Sequence, residues 1–242
     1  PQSNVLDITN LKSIKGISRD EDGDWHIGAL TTWTDLIEED LPSSFDGLKL
    51  SAREVGSVQI QNRATVVGNI CNASPAADGV PPLLTLGARV KIGSMAGERR
   101  MPLRDFIQGN RKTALKPGEI VIGVVLPANS TSGVSSFLKL GARKYLVISI
   151  SMVASRIHVS NGRISDAAIA VGSCSLVAQR LLDLESLIIG KEATSDVVDL
   201  IKEDHFKNLA AIDDVRATKD YRMHAAKEMV ARALTQTLEA TI

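Results

Sequence analysis

The sequence predicts an α+β fold in two parts. One observation is the run Ile120–Leu126, β-branched at five of its seven positions and ended by Pro127. Another is the Ser160-Asn161-Gly162 hairpin signal between two loosely alternating runs, 149–159 and 164–171. A third is the long amphipathic segment 217–237, with Met223, Ala226, Met229, Val230, Ala233 and Leu234 on one face. The stretch 128–133, rich in Asn, Ser, Thr and Gly, reads as the boundary, giving parts 1–128 and 134–242.

Taken in order, 13–36 reads as a strand, a turn at Asp22-Gly23-Asp24, a second strand and a helix starting near Thr32 or Thr34. Thr34 can cap that helix, with Asp35 in its first turn. Residues 50–58 are a short helix candidate, and 66–86 a loop followed by a helix. Residues 88–92 form a strand, and 97–101 turn into its partner. Residues 103–108 follow Pro102 as a short helix. Beyond the boundary, 136–140, 149–159 and 164–171 make a three-stranded sheet. Val177, Leu181, Leu184, Glu185 and Ile188 have helical spacing, and 194–203 is a further helix with Ser195 as its cap.

Composition fits a folded globular chain. Of 242 residues, 44% are hydrophobic, enough for one large or two modest cores. Formal net charge is zero and aromatics make up 3%, which argues against a nucleic-acid surface. Cys71 and Cys174 lie far apart, against a disulfide scaffold or a Cys-rich metal site. His26, His158, His205 and His224 have no metal-ligand spacing, and Glu21, Asp22 and Asp24 lack the glycine and closing glutamate of a calcium loop. No metal site is expected, and neither common nucleotide loop, G-x-G-x-x-G or G-x-x-x-x-G-K-[ST], is present. No apolar run approaches about 18 residues and no secretory signal is visible, so a cytoplasmic chain is expected. The sequence begins at Pro1, which points to a processed or trimmed start.

The stretch 64–84, ATVVGNICNASPAADGVPPLL, is the most informative. Thr65, Val66 and Val67 read as a strand, broken by Gly68 and Asn69, the types that best tolerate positive φ. Pro75 suits the first turn of a helix, and Asp78 precedes an apolar run. On residue chemistry alone this is either a tight turn between strand and helix or a loop whose N–H groups face an anion. Cys71, beside apolar Ile70, reads as a packing residue rather than a nucleophile.

This stretch resembles the second pyrophosphate loop of the FAD-binding medium subunit of the molybdenum hydroxylases, the xanthine dehydrogenase and carbon monoxide dehydrogenase type. The family pattern is T-[IV]-G-G-N, a spacer, then P-A-A-D. Thr65, Gly68, Asn69, Pro75, Ala76, Ala77 and Asp78 match it, while Val67 replaces the first glycine of the pair. The resemblance runs nearly end to end. IGALTTWTDL (27–36) is similar to the family's strand-to-helix junction, and VQIQNRATVVGN (58–69) to its V-R-N-x-A-T lead-in, with Gln61 in place of arginine. Residues 101–127 resemble the close of the first domain, SFLKLGARK (136–144) the F-x-K-x-x-x-R opening of the second, and 164–173 and 215–234 its later strand and final helix.

The resemblance implies a molybdopterin dehydrogenase/PCMH-type FAD-binding domain followed by a smaller α+β C-terminal domain of three strands plus helices. It implies a flavoprotein subunit of an oxidoreductase. A large partner subunit carries Mo-pterin and hydroxylates the substrate, and a small iron–sulfur subunit with [2Fe–2S] clusters relays electrons to FAD. The flavin then reduces NAD⁺ or another acceptor. The implied FAD-binding residues are Thr65, Val66, Val67, Gly68, Asn69, Asp78, Ile122 and Lys139. Val67 to Asn69 face the pyrophosphate through their N–H groups, and Asp78 bonds the ribityl or ring region. Ile122 lies against the ring and Lys139 reaches its polar edge. Lys139 by itself also reads as a surface lysine on a strand. No residue of this chain is required as a catalytic acid or nucleophile.

Family members begin with a βαβ segment bearing a first loop of the type A-G-G-x-[ST], and PQSNVLDITNLKSIKGI resembles the strand after it. The expectation is therefore a chain with little or no FAD and an exposed edge strand at 5–8 that invites pairing with a second copy. The C-terminal part is expected to fold on its own hairpin and helix. The competing reading is a flavin-free interaction module docking to the iron–sulfur and molybdenum subunits, or a separate binding protein that reuses the fold.

Overall fold

The computed structural model describes residues 5–241. β1 (Ile17–Arg19) and β2 (Trp25–Gly28) flank the Asp22–Asp24 turn as an antiparallel pair. α1 (Trp33–Glu38) starts at a capping box: the Thr32 hydroxyl accepts the Asp35 N–H at 3.1 Å and Asp35 Oδ2 accepts the Thr32 N–H at 2.9 Å. Thr32, not Thr34, is the cap; the Thr34 hydroxyl donates instead to Asn62 Oδ1. α2 (Asp46–Glu54) begins earlier than expected and stops before Gly56, so 50–58 is only half helical; α3 (Val58–Gln61) follows. α4 (Val66–Asn72) and α5 (Val80–Thr85) come next. β3 (Arg89–Ser94) and β4 (Gly97–Pro102) form a hairpin, α6 (Leu103–Phe106) is a single turn, and β5 (Ile107–Gly109) pairs with β6 (Lys112–Thr113). β7 (Ile120–Leu126) is central to an antiparallel sheet of order β1-β2-β7-β3-β4.

Residues 5–8 do not form the expected edge strand. They are irregular, with Val5 and Leu6 exposed, and β1 is the sheet's edge. A strand exists only where a ladder partner is present, and none lies beside 5–8 among the described residues.

β8 (Val134–Leu140), β9 (Ser151–Ser160) and β10 (Arg163–Gly172) form the second sheet. Its order is β11-β10-β9-β8, so the expected three strands are four. The added β11 (Gln179–Arg180) occupies part of the stretch that helical spacing claimed, leaving α7 as Leu182–Ile188. The open edge of β10 explains the difference: its free backbone groups bind 179–181, and Ile169 C=O accepts the Leu181 N–H at 2.9 Å. Residues 195–200 form a 3-10 helix rather than the expected longer helix; Thr194 stands at the cap position without a side-chain bond. α8 (Lys219–Glu239) is the long C-terminal helix, capped by Thr218.

The β9–β10 turn obeys its residues. Asn161 (φ 52°) and Gly162 (φ +72°) are both left-handed, as a two-residue hairpin with right-twisted strands requires. β9 is buried on both faces along most of its length, although Ser151, Ser155 and Arg156 stand among its apolar residues. Val153 and Ile157 face a core with Val230 and Leu234 of α8. On the other face Met152 and Ala154 pack with Phe137, and Arg156 donates to Thr85 C=O at the end of α5. The first sheet has its own core, built on Trp33, Phe45, Ile70, Leu83 and Val124.

Gly133, where the chain enters β8, has φ +86°, and a Cβ there would lie 2.1 Å from Ile157 O. Gly162 has φ +72° with nothing within 4 Å. Gly162→Ala is expected to cost about 1 kcal/mol from backbone strain alone. Gly133→Ala adds a backbone clash and is expected to cost on the order of 3 kcal/mol. Urea unfolding of the two variants checks the ranking.

Candidate functional site

The first elements to meet at the site are α2, β8, the turn before α5 and the segment before β9. Ala73 ends α4 in the left-handed region (φ 49°), and the chain turns through 74–79, where Ser74 C=O accepts the Ala77 N–H. Pro81 and Pro82, rather than Pro75, occupy the first helical turn of α5. This turn delivers Asp78 into the interior. Lys139 Nζ, on β8, donates to Asp78 Oδ2 at 2.6 Å, and the two side chains are only 6% and 9% exposed. Lys139 also donates to Glu54 C=O at the end of α2, at 3.2 Å. Ser149 Oγ donates to Asp78 Oδ1 at 2.5 Å. Lys139 is thus not a surface lysine. Burial pushes the Asp78 carboxyl above the usual carboxylate range, and Lys139 and the Ser149 hydroxyl oppose that rise.

Thr65 to Asn69 are not the end of a strand. Val66 to Asn72 are helical, and Thr65 is the cap: its Oγ1 accepts the Gly68 N–H at 2.9 Å. Val66, Val67 and Ile70 all enter the core of the first sheet. Burying that face outweighs the β preference of two adjacent valines. Gly68 and Asn69 do not take positive φ, so the expected strand break is absent. The expected anion donors are also mostly engaged: Gly68 N–H by Thr65 Oγ1, and Asn69 N–H by Thr65 C=O. The Val67 N–H has no acceptor among the described residues. Val67 points its side chain inward (4% exposed), so its replacement of glycine leaves the outer face clear. A Cβ on Gly68 would touch only Thr65 Oγ1, at 2.9 Å, with open space beyond. Asn69 Oδ1 is buried without a partner. A free N–H, an uncovered glycine backbone and an unpartnered amide oxygen fit a polar group laid along this turn of α4.

Ile122 is separate from these residues. It lies on β7 over Gly93, in a groove with Lys15, Gly16, His26 and Lys91 that includes neither Asp78 nor Lys139. Cys71 is half-buried, and burial pushes its thiol up to about 11, which fits a packing role. Among the described residues, no three His, Cys, Asp or Glu side chains gather as a metal site.

Two features escaped the sequence. Ser149 carries no motif, yet it completes the Asp78 carboxylate. A cavity of about 380 Å³ between the two sheets' flanking segments is lined by Ser74, Arg111, Ser149, Ser173, Leu176 and Arg222. Arg222 is buried, donates to Ile150 C=O at 2.6 Å and pairs with Asp214 at 2.7 Å. Burial pushes the Asp214 carboxyl up, but the Arg216 N–H, the Arg222 guanidinium and the Ala217 N–H together hold it well below the usual carboxylate range.

Lys139→Met leaves Asp78 buried and unpaired, an expected loss of about 3–5 kcal/mol near neutral pH. Asp78 holds its proton more tightly folded than unfolded, so ionising it costs stability as pH rises above the unfolded value. The loss is therefore expected to shrink toward acid pH. Replacing both residues, Asp78→Leu with Lys139→Met, is expected to cost less than Lys139→Met alone. Denaturant unfolding at several pH values checks both outcomes.

Residues 1–129 match the family described as FAD binding domain in molybdopterin dehydrogenase, and residues 136–237 match the CO dehydrogenase flavoprotein C-terminal domain. The chain is 29% identical over 238 residues to a xanthine dehydrogenase FAD-binding subunit of Escherichia coli, covering 98% of this chain and 82% of that protein. It is 33% identical over 200 residues to the nicotinate dehydrogenase FAD-subunit of Eubacterium barkeri, covering 81% and 67%. In fold it is similar to a chain of reconstituted CO dehydrogenase from Oligotropha carboxidovorans, with a TM-score of 0.87 at 23% identity over 94% of this chain and 79% of that one. The two matched regions span both sheets and the residues of the site, and the chain belongs to the family of FAD-binding medium subunits of the molybdenum hydroxylases.

Proposed function

We propose that the chain is the flavoprotein subunit of a multi-subunit molybdenum hydroxylase, dividing into domains 1–128 and 134–242, with FAD held by Thr65, Val66, Val67, Gly68, Asn69, Asp78, Ile122 and Lys139. The observation that carries this reading is the buried Asp78–Lys139 pair, which joins two segments that each match the family's pattern. A fully buried ion pair is costly to keep for stability alone. The open backbone at Gly68 and the unpartnered Asn69 Oδ1 support it from the other side.

When bound, the flavin supplies two-electron redox chemistry, taking electrons from the [2Fe–2S] clusters of a small partner subunit and passing them to NAD⁺ or another acceptor. The Mo-pterin of a large partner carries the hydroxylation. This chain's own work is to bind and orient. The Val67 N–H and the Gly68 backbone leave an approach for the pyrophosphate. Lys139, held by Asp78 and Glu54 C=O, places a positive charge where it favours an anionic ring edge. A cytoplasmic setting is part of the same proposal. Its support is two unpaired cysteines, and no helix among the described residues is long and apolar enough to cross a membrane.

The visible spectrum of the assembled complex tests the proposal: oxidised flavin bands that bleach with dithionite are expected, and their absence favours the flavin-free interaction module. Gly68→Val is expected to abolish flavin binding, because the branched side chain fills the open face. Unchanged flavin content in that variant overturns the placement. In the flavin-loaded complex, Lys139→Met is expected to lower the midpoint potential, read by redox titration; an unshifted potential removes Lys139 from the flavin site.

A further inference from the structure

Asp78 has two carboxylate oxygens, and the structure gives each a different donor. Oδ2 takes the Lys139 ammonium at 2.6 Å and Oδ1 takes the Ser149 hydroxyl at 2.5 Å. No other donor among the described residues reaches Oδ1. Ser149 is 2% exposed, although the loop before it, 141–148, runs over the surface with Tyr145, Leu146 and Ile148 exposed. It is the point where that loop returns to the interior. Its neighbour Ile150 locks the return: Ile150 N–H donates to Leu140 C=O at 2.7 Å, and Ile150 C=O accepts from the buried Arg222. Arg222 is itself anchored by Asp214. The Ser149 hydroxyl is therefore held at a fixed place between the ion pair and the cavity wall.

We infer that Ser149 is a positioning residue: its hydroxyl holds Asp78 as a charged, singly oriented acceptor for Lys139, and so sets the charge the pair presents at the flavin site. The last step rests on the proposed flavin site; the hold on Asp78 does not. A hydrogen bond to a buried carboxylate stabilises the ionised form, and charge-assisted bonds are about twice as strong as neutral ones. The charged group facing Asp78 is Lys139 on β8; α2 contributes the neutral Glu54 carbonyl, and the segment before β9 the neutral Ser149 hydroxyl. Burial already raises the Asp78 carboxyl, so losing the hydroxyl raises it further.

The test compares unfolding of the full chain with Ser149→Ala and Ser149→Thr between about pH 4 and about pH 8. Because Asp78 binds its proton more tightly in the folded state, ionising it on raising the pH costs stability, and Ser149 offsets part of that cost. The Tm deficit of Ser149→Ala is expected to be at least about twofold larger at the alkaline end than at the acid end. Ser149→Thr, which keeps the hydroxyl, is expected to show no such growth. A Ser149→Ala chain that folds only at acid pH is the same result in stronger form. A deficit independent of pH, or failure to fold at every pH, overturns the inference. In the flavin-loaded complex, Ser149→Ala is expected to raise the midpoint potential as pH falls, since a neutral Asp78 leaves the Lys139 charge uncompensated. A pH-dependent Tm deficit with an unmoved potential keeps Ser149's hold on Asp78 and rejects the pair's place at the flavin.

Discussion

Burying the Lys139 ammonium against the Asp78 carboxylate obliges four separate segments of the chain to meet in one arrangement. Removing each ion from water costs several kcal/mol, and the attraction between them offsets this only when the geometry is good and the remaining polar atoms are satisfied. Lys139 brings β8, Asp78 the turn before α5, Glu54 the end of α2, and Ser149 the segment before β9. Sliding β8 by one residue would turn Lys139 to the other face of its sheet and leave Asp78 alone. The pair thus adds a directional constraint to the register that the apolar cores on either side already favour.

Other polar contacts between the two sheets follow the same logic. Arg156 is 2% exposed, and its guanidinium spans Thr85 C=O, Ser132 C=O and Asp166. Ser135 Oγ accepts the Gly47 N–H and donates to Ser44 C=O. The Ser173 N–H donates to Pro75 C=O. Each satisfies a donor or acceptor that burial would otherwise strand, so each fixes direction as well as distance. The cores supply most of the favourable burial, which is non-directional. The polar ties decide how α2 and α5 lie on the second sheet.

That division of labour bears on the loop that identifies the family. Val67 stands where a glycine is usual, yet its side chain joins Val66 and Ile70 in the core. A side chain that points inward leaves the outward backbone unchanged. The outward position is Gly68, where an added Cβ would meet only the Thr65 hydroxyl, at 2.9 Å, with open space beyond.

Much of the fold was legible along the chain because it depends on near neighbours. Asn161-Gly162 makes its turn from residues that tolerate positive φ, β7 follows from a β-branched run, and α8 from an apolar face of helical period. The family pattern drew Asp78 and Lys139 to notice, 61 residues apart. What the sequence could not decide depends on partners distant along the chain. Thr65 to Val67 look like a strand until the core that buries Val66 and Val67 is in place. Residues 5–8 are apolar enough for a strand but have no ladder beside them among the described residues, while Gln179 and Arg180 become a strand only because the edge of β10 is open. Ser149 carries no motif; it matters because tertiary structure returns a surface loop to the one carboxylate oxygen left without a donor. Local preference determines elements, and burial determines which polar atoms must find each other.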